Sequence, residues 1–174
     1  MKSLLVLLLL MATPAAAFEV KSHDIADGAL LSSQQVYPDC NGDNVSPQLV
    51  WSNPPAGTKS FAVTLYDPDA QPSGWWHWIV FNIPASATGV TRGAGTMPSL
   101  LPPGSVEGEN DFGANAYGGA CPPPGSGQHH YQFTVWALDS ATVPLESGAT
   151  GNDVRDYLKK HTVGQAMLTA LYQR

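Results

Sequence analysis

The sequence predicts an all-β dominated fold, an antiparallel β-sandwich with one or two short helices, one of them near the C-terminus. Three observations predict it. The segments Phe61–Tyr66, Trp76–Phe81 and Tyr131–Trp136 are rich in β-branched and aromatic residues, which suit a pleated, half-buried surface. Turn formers, Asn53-Pro54-Pro55-Ala56-Gly57 and Asp67-Pro68-Asp69, keep the elements short and close together. Helical periodicity is confined to the C-terminal end, so the chain lacks the alternating pattern of βαβ units.

That helix has Thr150 or Asn152 as its cap, continues through Asp153, Val154, Tyr157 and Leu158, and finishes on the basic pair Lys159-Lys160. The last stretch, Gln165 to Arg174, reads two ways. Propensity mildly favours helix for Ala166-Met167-Leu168, whereas Leu171 and Tyr172 suit an edge strand. Between Gly93 and His129 lie nine glycines and six prolines, too many for regular structure. A compact fold carries so long a loop only with an anchor or a use; Cys121 is the expected anchor, and a ligand site the expected use.

At the N-terminus, Lys2, the apolar run Leu4–Met11 and the small residues Ala15-Ala16-Ala17 follow the order of a signal peptide. Residues 1–17 are therefore read as a cleaved export signal, residues 18–174 as one domain, and the location as periplasmic or secreted. No later segment has the roughly 18 uninterrupted apolar residues of a membrane span. Losing Lys2 takes the formal net charge from −6 to −7. With no basic cluster to displace counterions, nucleic acid is not an expected partner. Cys40 and Cys121 are the only cysteines, and export favours their oxidation to a disulfide. Closing a loop of about 80 residues would stabilise the fold by on the order of 4 kcal/mol in the chain-entropy model. Two free core thiols or a redox pair are the alternatives, although there is no Cys-x-x-Cys.

Strand alternation places Trp75, His77, Ile79 and Phe81 on one face of their strand and Trp76, Trp78, Val80 and Asn82 on the other. It puts His129 on the side of Tyr131 and Phe133, with His130 pointing away. The expected constellation is one imidazole from each of two strands, His77 and His129, with the Tyr131 hydroxyl and carboxylate from the Asp67-Pro68-Asp69 turn. Gly118 and Gly119, ahead of Cys121-Pro122-Pro123-Pro124, would let backbone N–H groups approach a bound anion.

Several of these segments occur together in a known order. Asp67-Pro68-Asp69-Ala70, Trp75 through Pro84, Tyr117-Gly118-Gly119-Ala120-Cys121 and His129-His130-Tyr131 resemble the signature segments of the phosphatidylethanolamine-binding family, in particular its bacterial secreted, Raf-kinase-inhibitor-like branch. The resemblance runs from about Asp39 to Arg174. It implies a sandwich with a small pocket at one end for phosphate or a phosphorylated, phosphoethanolamine-like head group. Carried over residue by residue, the ligand-binding set is Asp67, Trp75, His77, Gly119, the backbone at Cys121, His129 and Tyr131. Cys121 stands where the eukaryotic proteins have glycine. The resemblance also implies that the C-terminal tail is a strand.

The function expected is binding without catalysis, with no metal and no cofactor. A protein-interaction module, inhibiting a protease or another exported or host partner, is the alternative. A metal site built from His77, His129 and Asp67 has no diagnostic spacing behind it. A serine hydrolase is disfavoured because there is no Gly-x-Ser-x-Gly, and the serines near Pro47 and Gly127 have no evident base beside them.

Overall fold

The computed structural model describes residues 16–70 and 72–174. Apart from Ala16 and Ala17, the expected signal peptide lies outside the described residues. Eight strands and one α-helix follow in the order β1 (Glu19–Lys21), β2 (Leu49–Ser52), β3 (Ser60–Asp67), β4 (Trp75–Pro84), β5 (Gly89–Val90), β6 (Val106–Glu107), β7 (His129–Leu138), α1 (Gly151–His161) and β8 (Thr162–Tyr172). They form a three-stranded sheet, β1-β2-β5, and a five-stranded sheet, β6-β4-β3-β7-β8, with every pairing antiparallel.

Between the sheets, Phe61, Val63 and Leu65 of β3 pack with Trp78 and Val80 of β4, Phe133 and Val135 of β7, and Leu49 and Trp51 from the smaller sheet. The other face of the large sheet is covered as well: Ala62, Trp76, Ile79 and Phe81 meet Val154 and Leu158 of α1. A strand buried on both faces needs a continuous apolar run, which explains why Phe61–Leu65 lacks polar alternation. Helix α1 begins at the Thr150 cap, whose hydroxyl accepts from the Asp153 N–H while the Asp153 carboxylate accepts from the Thr150 N–H. Gly151 sits directly on the Trp76 ring, where any Cβ would overlap the indole.

The last segment is a strand. From Tyr172 back to Thr162, β8 pairs with β7 along its whole length, and its inward residues Ala166, Leu168 and Ala170 alternate with exposed Gln165 and Met167. Long-range pairing has overridden the mild helical propensity of Ala166-Met167-Leu168.

Strict alternation fails in β4. Trp76 lies opposite Tyr66 and Trp78 opposite Leu65, so His77 is one residue too many for its partner strand. This bulge sends Trp76 to the helix side with Ile79 and Phe81, while Trp78 and Val80 fill the inter-sheet core. His77 parts from Ile79 and Phe81 and turns to the side of Tyr131, their rings 5.2 Å apart and edge to face. A second irregularity, between the Val63–Val80 and Phe61–Ile83 pairs, is absorbed at Asn82 in a left-handed conformation (φ 58°). Its side chain accepts from the Val143 N–H at 2.7 Å, tying the strand to the segment leading into α1.

Candidate ligand-binding site

At one end of the large sheet, where β3 stops at Asp67 and where β4 and β7 start at Trp75 and His129, there is a cavity of about 480 Å³. Asp67, Trp75, His77, His129 and Tyr131 form its wall from the sheet; Phe112, Cys121, Pro122, Pro123 and Ser126 close it from the long loop. Among its lining residues the ionisable side chains besides Tyr131 are Asp67, Asp69, His77 and His129, with no lysine or arginine.

His77 donates its Nδ1–H to the Gly118 carbonyl at 2.8 Å, which fixes the neutral tautomer and leaves Nε2 for the cavity. Burial lowers its pKa below the ordinary value of 6.5, outweighing the opposing pull of the Gly118 carbonyl and the Asp67 carboxylate. Across the cavity, His129 Nδ1 is 2.7 Å from Asp67 Oδ2, both side chains being buried. Asp67 Oδ1 accepts from the Asp69 N–H at 2.9 Å. The remaining ring nitrogen, His129 Nε2, lies 2.9 Å from Ser126 Oγ.

Two lining groups are buried donors without partners: Trp75 Nε1 and the Tyr131 hydroxyl. Burial, reinforced by the nearby Asp67 carboxylate, pushes the Tyr131 pKa well above 10, so the hydroxyl keeps its proton. Asp69 is different. Burial alone would raise its pKa, but hydrogen bonds from the His130 ring and N–H prevail and hold it low. His130 itself is exposed and points away from the cavity, on the opposite side of its strand from His129.

Of the residues expected from sequence, the fold brings Asp67, Trp75, His77, Cys121, His129 and Tyr131 to one cavity. Gly119 is not among the lining residues. Its N–H donates to Asn44 Oδ1 at 2.8 Å, and a Cβ there would strike the Gln35–Tyr37 backbone. Glycine is required at 119 by this close chain crossing, next to the Val36–Ala120 bridge. Cys121 is bonded to Cys40, with their Cα atoms 5.6 Å apart, and Arg174 Nη1 lies 2.7 Å from Cys40 Sγ. Sequence reasoning missed Phe112, which stacks on Tyr37 and sets its edge against His77. It also missed Ser126, which does have a base beside it. The Ser-x-x-His spacing between two glycines was the available signal. Among the described residues, no group of three or more His, Cys, Asp or Glu side chains is placed to hold a metal ion.

A two-sheet fold with a polar-rimmed, aromatic-walled cavity at one sheet end defines a small-ligand binding class of β-sandwich. Comparison makes the class specific. Residues 21–173 match the family described as phosphatidylethanolamine-binding protein, and the chain belongs to that family. It is 48% identical over 163 residues to UPF0098 protein YbcL of Escherichia coli K12, covering 91% of this chain and 89% of that one. It is 43% identical to UPF0098 protein YbhB of the same organism, covering 87% and 97%. The crystal structure of E. coli YbcL, described as a new member of the mammalian PEBP family, superposes with a TM-score of 0.89 at 47% identity, over 91% of this chain and 99% of that one. The structure of CT736 from Chlamydia trachomatis gives 0.77 at 28% identity, over 91% and 98%.

Proposed function

We propose that this protein binds a small phosphorylated ligand carrying a cationic end, of the phosphoethanolamine kind, in the cavity at the end of the large sheet. The observation that carries the reading is the pair of buried, unpartnered donors, Trp75 Nε1 and Tyr131 Oη. An unsatisfied buried donor costs about 1–3 kcal/mol, and phosphate oxygens are acceptors that relieve it. The lining supplies Asp67 and Asp69 but no side-chain cation beyond what histidine protonation provides. A bare dianion would meet net repulsion there, whereas an ammonium group finds carboxylates and the aromatic faces of Trp75, Phe112 and Tyr131. Family membership supports the same ligand class. Export to the periplasm or beyond is part of the proposal, supported by the Cys40–Cys121 disulfide and by the apolar N-terminal run of the sequence.

Calorimetric titration with phosphate, ethanolamine and phosphoethanolamine tests it. Phosphoethanolamine should bind more tightly than either half alone, and Tyr131→Phe should weaken it by roughly tenfold, the equivalent of one hydrogen bond. Equal binding of phosphate and phosphoethanolamine would remove the cationic subsite, and no binding of any of the three would remove the proposal.

A further inference from the structure

We propose that Ser126 is a nucleophile toward esters that enter this cavity, with His129 as its general base and Asp67 as the residue that positions His129. This goes beyond ligand binding and does not depend on phosphoethanolamine being the ligand.

The geometry is a relay of three side chains. Ser126 Oγ lies 2.9 Å from His129 Nε2, and His129 Nδ1 lies 2.7 Å from Asp67 Oδ2. Asp67 as a carboxylate only accepts, so His129 Nδ1 must carry the hydrogen between them. In the neutral ring Nε2 then holds a lone pair, directed at the serine hydroxyl. That is the tautomer a base needs. Asp67 cannot swing away, because its other oxygen accepts from the Asp69 N–H at 2.9 Å. The hydroxyl has a single proton and a competing acceptor, the Pro123 carbonyl at 2.8 Å, so attack requires that proton to turn from Pro123 to His129 Nε2.

Ser126 is presented on a sharp turn. Its neighbours Gly125 and Gly127 both have positive φ, 79° and 93°, where any other residue would be strained. Gly125 N–H donates to the carbonyl of Arg174 and Ser126 N–H to that of Pro123, so the turn is fixed at both sides. Ser126 is exposed on the cavity's lip while His129 and Asp67 are buried behind it. The cavity lining also offers donors to a developing negative charge. Trp75 Nε1–H and the Tyr131 hydroxyl are unpartnered donors lining the same space, and the raised pKa of Tyr131 keeps its proton available.

The step balances as an ordinary ester hydrolysis. Ser126 Oγ bonds to the carbonyl carbon as its proton passes to His129 Nε2, and the carbonyl oxygen becomes an oxyanion. The ester C–O bond then breaks, and His129 returns the proton to the departing alkoxide, leaving alcohol and acyl-Ser126. Water, giving a proton to His129, attacks the acyl group and releases the carboxylic acid with the serine restored. A fluorophosphonate traps the same nucleophile: the Oγ–P bond forms, the P–F bond breaks, and hydrogen fluoride leaves.

The experiment is incubation of the full chain with a biotinylated fluorophosphonate, read by intact mass and peptide mapping, alongside turnover of p-nitrophenyl acetate. One adduct on Ser126 is expected, absent in Ser126→Ala, an exposed substitution that leaves the fold intact. Labelling of His129→Asn should be slower by about a hundredfold or more, the usual contribution of a positioned base. For Asp67→Asn, labelling should fall while a bare thiol in Ser126→Cys still reacts with iodoacetamide, separating lost activation from lost access. No adduct in wild type, an adduct that persists in Ser126→Ala, or wild-type labelling rates in a folded His129→Asn would each overturn the proposal.

Discussion

His129 donates its Nδ1–H to Asp67 Oδ2 across 2.7 Å while the Asp69 N–H holds the other carboxylate oxygen, so Asp67 serves two donors at once. Asparagine offers one acceptor oxygen for those two donors. Asp67→Asn should therefore lose about 1–3 kcal/mol of stability, the range for a buried polar group left unpaired. Urea unfolding checks this; an unchanged midpoint would mean that the pair contributes nothing beyond packing.

Tyr131→Phe should behave oppositely. The hydroxyl is buried and has no partner in hydrogen-bonding geometry. The ligand-free variant should be as stable as the wild type or up to about 1 kcal/mol more stable, and should lose most of the thermal shift that phosphoethanolamine gives the wild type. A thermal melt at several ligand concentrations decides. A markedly lower apo melting temperature with an undiminished ligand shift would make Tyr131 a core residue only.

His77 sets a pH dependence. Burial lowers its folded pKa, so the unfolded chain takes up a proton near pH 6.5 while the folded chain does not. Its contribution to stability is complete above pH 6.5 and is lost as pH falls below that value. His77→Ala should flatten this part of the acid limb. An oxyanion bound against Nε2 would restore the proton, so phosphoethanolamine binding at pH 6 should consume more protons in wild type than in His77→Ala. Calorimetry in two buffers of different ionisation enthalpy measures this directly.

Glu107 sets the opposite slope. Burial raises its carboxyl from 4.5 to about 7, against the lowering effect of the Trp78 Nε1–H donated at 3.0 Å. Here the folded state holds the proton more tightly than the unfolded chain, so stability present below pH 4.5 is lost as pH rises through about 7. Glu107→Gln keeps an acceptor for Trp78 and never ionises. It should match the wild type near pH 4.5 and exceed it at pH 8, by at most about 3 kcal/mol. Parallel stability curves for the two proteins across this range would rule out the raised carboxyl.

Cys121 lines the cavity and is bonded to Cys40, so reduction should loosen the site before the sheets. Hydrogen exchange should speed up around residues 118–126 while the amides of β3 and β7 stay protected, and phosphoethanolamine affinity should drop. A lower melting temperature with unchanged affinity would show that packing alone positions the loop.

Much of the fold was legible along the chain. Phe61–Tyr66, Trp76–Phe81 and Tyr131–Trp136 are the cores of β3, β4 and β7, because apolar, β-branched runs have few other stable uses. A cap at Thr150 or Asn152 and the apolar period through Val154, Tyr157 and Leu158 announced α1, and the structure settles the cap on Thr150, paired with Asp153. The strand at Thr162–Tyr172 was ambiguous from its residues, since its alternation depends on pairing with β7, more than twenty residues away.

What the sequence determined by itself was the set of chemically useful residues and the strands that carry them: Asp67 at a strand end, His77 within β4, His129 and Tyr131 two apart on β7 and so on one face. The tertiary structure decided which of them meet. A bulge places His77 on the side of Tyr131, against the strict period of two. The chain crossing near Val36 takes up the Gly119 amide, and the fold of the glycine-rich loop brings Ser126 to His129. The physical reason is that periodicity reports only on residues that repeat with the backbone's own geometry. Bulges, crossings and irregular loops have no period, and are settled by contacts between segments far apart in the chain.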